Sequence, residues 1–201
     1  MKTLIIVDFQ HDFANPKGTL YVNGSELVED ELVKYIYKDN GIDEVVFTID
    51  WHSPKHCSFK QNGGEWPMHC VQFTEGAGIS KKLMNACIDK GMRIKVFKKG
   101  NCDGEEEYGA FEVMSLYHDG DVYRISVNNK TESSHQFIDN SDIEVCGIAL
   151  DYCVLNTIGN IMSRSEELGG LNVTLLKDYC PCIGNKDAAL EAIKELGVKI
   201  V

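Results

Sequence analysis

The sequence predicts a single α/β domain over residues 1–201: three α/β/α layers around a mostly parallel, doubly wound sheet. Two observations carry this. Short apolar-rich segments recur at 4–9, 44–50, 93–98, 143–148 and 172–176. They are too short for buried helices, and Leu4-Ile5-Ile6-Val7 and Val45-Val46-Phe47 run unbroken, as buried strands do. Segments with helical apolar spacing lie between several of them, and apolar strands separated by helices form parallel sheets covered on both faces.

Each element follows from its own pattern. The apolar stretch that opens the strand 4–9 stops at Asp8, a carboxylate, so it reads as a core strand and not as a signal peptide. Residues 26–37 read as a helix burying Leu27, Leu32, Val33 and Ile36. After the strand 44–50 comes a long irregular segment, 51–78, and then a helix over 79–90 that stops at Gly91. The strand 93–98 leads into a second irregular segment, 100–109, with helices expected over 110–117 and 131–139. The strand 143–148 feeds a helix over 154–168, with Val154, Leu155, Ile158, Ile161 and Met162 at helical spacing. The strand 172–176, a helix over 186–196 and a short strand over 199–201 complete the chain.

Composition narrows the class of function. A net charge of -11 with no basic stripe argues against nucleic acid or an anionic membrane as partner. No apolar run approaches the roughly 20 residues that span a bilayer. The expectation is a cytoplasmic protein whose eight cysteines are reduced thiols.

In doubly wound sheets, sites form beyond the carboxyl ends of the strands. Asp8, Asp50 with His52, Lys99 and Cys153 each follow a different strand. Cys153 falls at a strand-to-helix turn, where the helix dipole favours the thiolate, and a shift of its pKa to about 6 would make it mostly ionised. Asp8 could take the thiol proton and return it to a leaving amine. Lys99 could favour both anions, and N–H groups around Ala149 and Cys153 could hold an oxyanion. These parts suit acyl transfer through a thioester.

A second cluster suits a metal. In an extended chain, Asp50 and His52 project to the same side, and His56 and His69 follow on the same irregular segment. One carboxylate and up to three imidazoles fit Zn²⁺, Fe²⁺ or Mn²⁺ better than Ca²⁺. Cys57 and Cys70 read as packed thiols, the acidic stretch 105–107 as a solvated loop, and 180–182 as a turn without a role. His11, His118 and His135 read as ordinary surface or edge histidines.

The segments Val7-Asp8-Phe9-Gln10-His11-Asp12-Phe13, Asp50-Trp51-His52, Trp66-Pro67-Met68-His69-Cys70, Lys99-Gly100 and Gly147-Ile148-Ala149-Leu150-Asp151-Tyr152-Cys153-Val154 form a set of motifs. Together they resemble the nicotinamidase branch of the isochorismatase-like cysteine hydrolases. It implies a Rossmann-like fold and hydrolysis of nicotinamide, and of pyrazinamide, to the acid and ammonia in NAD salvage. It makes Cys153 the nucleophile, Asp8 the base and acid, Lys99 the charge stabiliser, and Ala149 and Cys153 the oxyanion donors, beside a cis Ile148–Ala149 peptide. Asp50, His52 and His69, with His56 as fourth ligand, would hold one divalent ion, zinc first, with no organic cofactor. Phe13 and Trp66 would sandwich the ring, with Tyr108 nearby. The resemblance also implies a homo-oligomer. The competing readings are a sibling hydrolase of another small amide or carbamoyl group, and a non-catalytic metal-binding protein.

Overall fold

The computed structural model describes residues 2–38, 40–111, 115–119, 122–127, 130–133, 142–165 and 170–201. Six strands form one all-parallel sheet: β1 (Lys2–Val7), β2 (Ile42–Asp50), β3 (Arg93–Lys99), β7 (Asp142–Gly147), β8 (Asn172–Leu175) and β9 (Lys199–Ile200). Leu4 to Val7 are buried on both faces of β1, which explains the unbroken apolar run. Helices α1 (His11–Ala14), α2 (Ser25–Tyr37), α3 (Lys81–Asp89), α4 (Leu155–Met162) and α5 (Lys186–Glu195) connect the strands. Helix α2 packs beside α3, and α4 beside α5. No helix among the described residues is long and apolar enough to cross a membrane.

The spatial order is β3-β2-β1-β7-β8-β9, so the direction of winding reverses between β1 and β7. That reversal opens a crevice at the carboxyl ends of the two strands. Register then sets the site. Val7 pairs with Thr48 on one side and Gly147 on the other, and Asp50 pairs with Lys99. Gly147 allows the close approach: a Cβ there would lie 2.1 Å from the Val7 carbonyl oxygen.

The structure departs from the sequence expectations at four places. Ser115–Asp119 is a strand, β4, not the end of a helix over 110–117. It joins β5 (Val122–Val127) and β6 (Lys130–Ser133) in a three-stranded antiparallel sheet, so the helix expected over 131–139 begins as strand; residues 134–139 lie outside the described residues. Short segments of mixed polarity such as these fit either the helical or the strand period. Leu27 is 69% exposed because the buried stripe of α2 runs through Leu32 and Ile36, and Leu27 lies one position off it. Helical structure around Cys153 begins earlier than expected, with a π-helical turn over Leu150–Val154, and α4 ends at Met162. Residues 166–168 of that expected helix also lie outside the described residues.

Candidate active site and metal centre

Asp8, one residue beyond β1, sits at φ 47° and is fully buried. Thr48 holds it in place: its hydroxyl donates to Asp8 Oδ1 at 2.7 Å. Lys99, at the end of β3, is 1% exposed, and its ammonium lies 2.8 Å from Asp8 Oδ2. The same nitrogen contacts Asp50 Oδ1, lies 3.6 Å from Cys153 Sγ and 3.4 Å from the Glu107 carbonyl. Asp8, Asp50 and Cys153 present atoms all within 4.8 Å of one another. Four strand ends thus deliver one thiol, two carboxylates and one ammonium to a single buried point.

Burial and charge decide their protonation. Burial draws the Lys99 pKa down, but Asp50 and Asp8 outweigh it and lift the ammonium well above its ordinary range. Asp50 goes the other way: burial raises it, and Lys99 and His52 together hold it well below the usual carboxylate range. For Asp8, burial and the neighbouring Asp50 prevail over Lys99, so it is raised and is the more basic of the pair. Burial also pushes the Cys153 thiol well above its ordinary value, with Lys99 opposing and both carboxylates adding to the rise. This corrects the thiolate expectation. The dipole of the helix start is outweighed by desolvation and two anions, so the resting sulfur carries its proton.

The metal-type ligands gather on the other side of Asp50. His52 uses Nδ1 toward the Gly100 carbonyl at 2.9 Å, and His69 uses Nδ1 toward the Pro67 carbonyl at 2.7 Å. Both Nδ1 atoms donate to carbonyls, which leaves both Nε2 lone pairs free. Those nitrogens lie 3.4 and 3.8 Å from Asp50 Oδ2, and the three side chains offer ligand atoms within 4.8 Å of one another. His56 is outside that set. Its ring centroid is 4.0 Å from that of His52, its Nδ1 meets the Ser58 hydroxyl at 2.7 Å, and burial, aided by His52, lowers its pKa to about 4. Its Nε2 is buried without a hydrogen-bond partner among the described residues.

A cavity opens onto both groups. Phe13, Trp66, Tyr108 and Tyr152 supply aromatic walls, and Ala149 and Cys153 the inner end. The Trp66 indole donates to the Tyr108 hydroxyl at 3.0 Å and stands edge-on to Tyr152 at 5.3 Å. The Ile148–Ala149 peptide is cis. The Ala149 carbonyl accepts from Tyr152 and Val154, while its N–H has no hydrogen-bond partner among the described residues.

Sequence reasoning missed several supports. Gln10 holds the Asp50 backbone, donating to its carbonyl at 2.8 Å and accepting its N–H at 2.8 Å. Asp12 accepts from the Cys70 N–H at 2.8 Å, fixing the strip that carries His69. Both lie in the opening motif, where only Asp8 and Phe13 had been given roles. Asp151 accepts from the N–H groups of Ile183 and Gly184, and the Leu150 N–H donates to the Pro181 carbonyl at 2.8 Å, so residues 181–184 brace the Cys153 turn and set Ile183 in the cavity wall. Nor is the acidic stretch uniformly solvated: Glu107 is 5% exposed and Glu106 lines the cavity rim, while Glu105 is exposed. Cys70 is fully buried. The side chain of His118 and all of His135 lie outside the described residues.

A doubly wound parallel sheet with an acid, a lysine and a thiol at its switch point marks a cysteine hydrolase of the isochorismatase-like fold. Comparison narrows the class. The chain is 30% identical to a nicotinamidase of Saccharomyces cerevisiae, covering 97% of this chain and 94% of that protein. It superposes with a TM-score of 0.77 on the L. infantum protein PnC1 in complex with nicotinate, at 30% identity over 100% of this chain and 92% of that one. Against the Pyrococcus horikoshii pyrazinamidase in complex with zinc, the TM-score is 0.73 at 28% identity, covering 100% of this chain and 98% of that one. No family model matches the chain. The chain belongs to the nicotinamidase family, and it is an amidohydrolase.

Proposed function

We propose that residues 1–201 act as one hydrolase domain converting nicotinamide and water to nicotinate and ammonia, and accepting pyrazinamide. The observation that carries this is the Lys99 ammonium in contact with Asp8, Asp50 and Cys153 at the inner end of an aromatic cavity. Phe13 and Trp66 hold the flat ring of the substrate. As Cys153 Sγ bonds to the carboxamide carbon, its proton passes to Asp8, whose raised pKa suits it as base. The carbonyl oxygen, now anionic, accepts from the N–H groups of Ala149 and Cys153. Asp8 returns the proton to the leaving nitrogen, the C–N bond breaks, and ammonia departs from a thioester. Water then attacks the thioester carbon as Asp8 takes its proton. The C–S bond breaks, the thiol regains a proton and nicotinate leaves.

The donor set of Asp50, His52 and His69, and the orphaned Nε2 of His56, fit a divalent cation of the Zn²⁺ class. We infer zinc, in line with the zinc complex of the Pyrococcus horikoshii relative; Fe²⁺ and Mn²⁺ suit the same donors. When bound, the ion supplies a Lewis-acid anchor for a pyridine nitrogen. Eight unpaired thiols support a reducing, cytoplasmic compartment.

The test is ammonia release from nicotinamide by purified protein, before and after chelation and metal add-back, with Cys153→Ala alongside. Activity that disappears on chelation, returns with metal and is absent from Cys153→Ala is expected. Release unaffected by the alanine substitution would sink the thiol assignment, and release only from other amides would replace the substrate.

A further inference from the structure

We propose that Glu107 is a positioning residue that ties the metal ligand His52 to the ammonium of Lys99 by way of Gly100. The inference rests on the reading of Asp50, His52 and His69 as a metal set. The chain leaves β3 at Lys99 and turns at Gly100, which sits at φ 65°. The Gly100 N–H donates to the Glu107 carboxyl group at 2.6 Å, a short, buried bond. On the other side of the same residue, the Gly100 carbonyl accepts from His52 Nδ1 at 2.9 Å. The backbone lies against the imidazole so closely that a Cβ on residue 100 would come within 2.3 Å of His52 Cε1. Glu107 reaches the triad as well, since its own carbonyl is 3.4 Å from Lys99 Nζ.

The consequence is a chain of constraint. Glu107 fixes the Gly100 N–H and so helps set where the Gly100 carbonyl points. That carbonyl fixes the His52 tautomer and leaves Nε2 for a ligand. The intervening loop is also sewn to the histidine segment, because Ser53 donates to the Asp103 carboxylate at 2.5 Å and the Cys57 N–H to the Asp103 carbonyl at 2.8 Å. The buried Gly100 N–H needs an acceptor, and the Glu107 carboxylate, itself buried, supplies it. Partners of this kind behind a metal ligand typically change affinity by about 10–100-fold.

The test measures Zn²⁺ affinity of the metal-free full chain by competition with a chromophoric chelator, for wild type, Glu107→Gln and Glu107→Met. Glutamine keeps an acceptor oxygen and is expected to hold Zn²⁺ within a few-fold of wild type. Methionine fills similar space without one and is expected to bind about 10–100-fold more weakly. Wild type that does not bind Zn²⁺ overturns the metal set itself. Wild type that binds, with Glu107→Met binding equally well, overturns the role of Glu107 alone. Should Glu107→Met fail to fold, amide exchange at Gly100 in the wild type decides: slow exchange supports the bond, and exchange at the rate of an open amide overturns it.

Discussion

Lys99→Met removes the one charge among the described residues that lies against both Asp8 and Asp50 at hydrogen-bonding distance. Breaking a buried ion pair from one side typically costs about 3–5 kcal/mol. A ceiling follows from protonation. With an unfolded carboxyl pKa of about 3.9, keeping one carboxyl neutral at pH 7.5 costs about 1.36 kcal/mol for each of about 3.6 units, or about 5 kcal/mol. Asp8 is the group that protonates, since burial already raises it, whereas Asp50 keeps His52 as a partner. The sign is then fixed. In the variant, folded Asp8 holds a proton that the unfolded chain has lost, so stability rises as pH falls toward the unfolded value. Between pH 7.5 and 5.5 the deficit relative to wild type is expected to shrink by up to about 2–3 kcal/mol, the full amount where wild-type Asp8 stays ionised across that range. Urea unfolding of metal-free protein at the two pH values measures it. A deficit below about 1 kcal/mol at pH 7.5, or one independent of pH, would refute the argument that Lys99 neutralises a buried pair.

Gly100→Ala forces a Cβ into His52 at a positive φ, so Zn²⁺ binding measured by chelator competition is expected to weaken by at least tenfold; unchanged affinity would show that the loop yields. Trp66→Phe keeps a ring but loses the bond to the Tyr108 hydroxyl, and steady-state kinetics are expected to show KM raised about 3–10-fold with kcat little changed. Cys153 of the free enzyme is expected to react slowly with iodoacetamide at pH 6 and faster as pH rises past 9, since burial and both carboxylates raise its pKa; rapid alkylation at pH 6, read by mass spectrometry, would contradict this.

The parallel sheet was legible because buried strands announce themselves as apolar runs, and the site because strand ends are countable along the chain. Asp8, Asp50, Lys99 and Cys153 needed only order, and the sheet's reversal did the rest. What stayed hidden depends on three dimensions. The basicity of Asp8 and the raised thiol of Cys153 come from burial beside Asp50, which no spacing encodes. Leu20, Val22 and Ile183 reach the cavity from irregular chain with no period to read. Glu107 looks like any member of an acidic run until its partner, the Gly100 N–H, is seen. Strands β4 and β6 overlap the helices expected over 110–117 and 131–139 because short mixed segments fit either period.

Asp50 makes the two halves of the site inseparable. One oxygen contacts Lys99, and the other faces His52 and His69 at 3.4 and 3.8 Å. Strand register imposes this, since Asp50 pairs directly with Lys99 and His52 follows two residues on. Removing Asp50 alone leaves the ammonium short of a partner, and removing Lys99 alone leaves the carboxylate short of one. Asp50→Asn combined with Lys99→Met removes both unmatched charges together, so the double variant is expected to lose less stability than the two singles summed. The shortfall expected for contacting groups is about 0.5–3 kcal/mol, measurable by urea unfolding of the four metal-free proteins. Additivity within about 0.5 kcal/mol would mean that each carboxylate oxygen acts independently, and that the metal set and the triad only happen to share a residue.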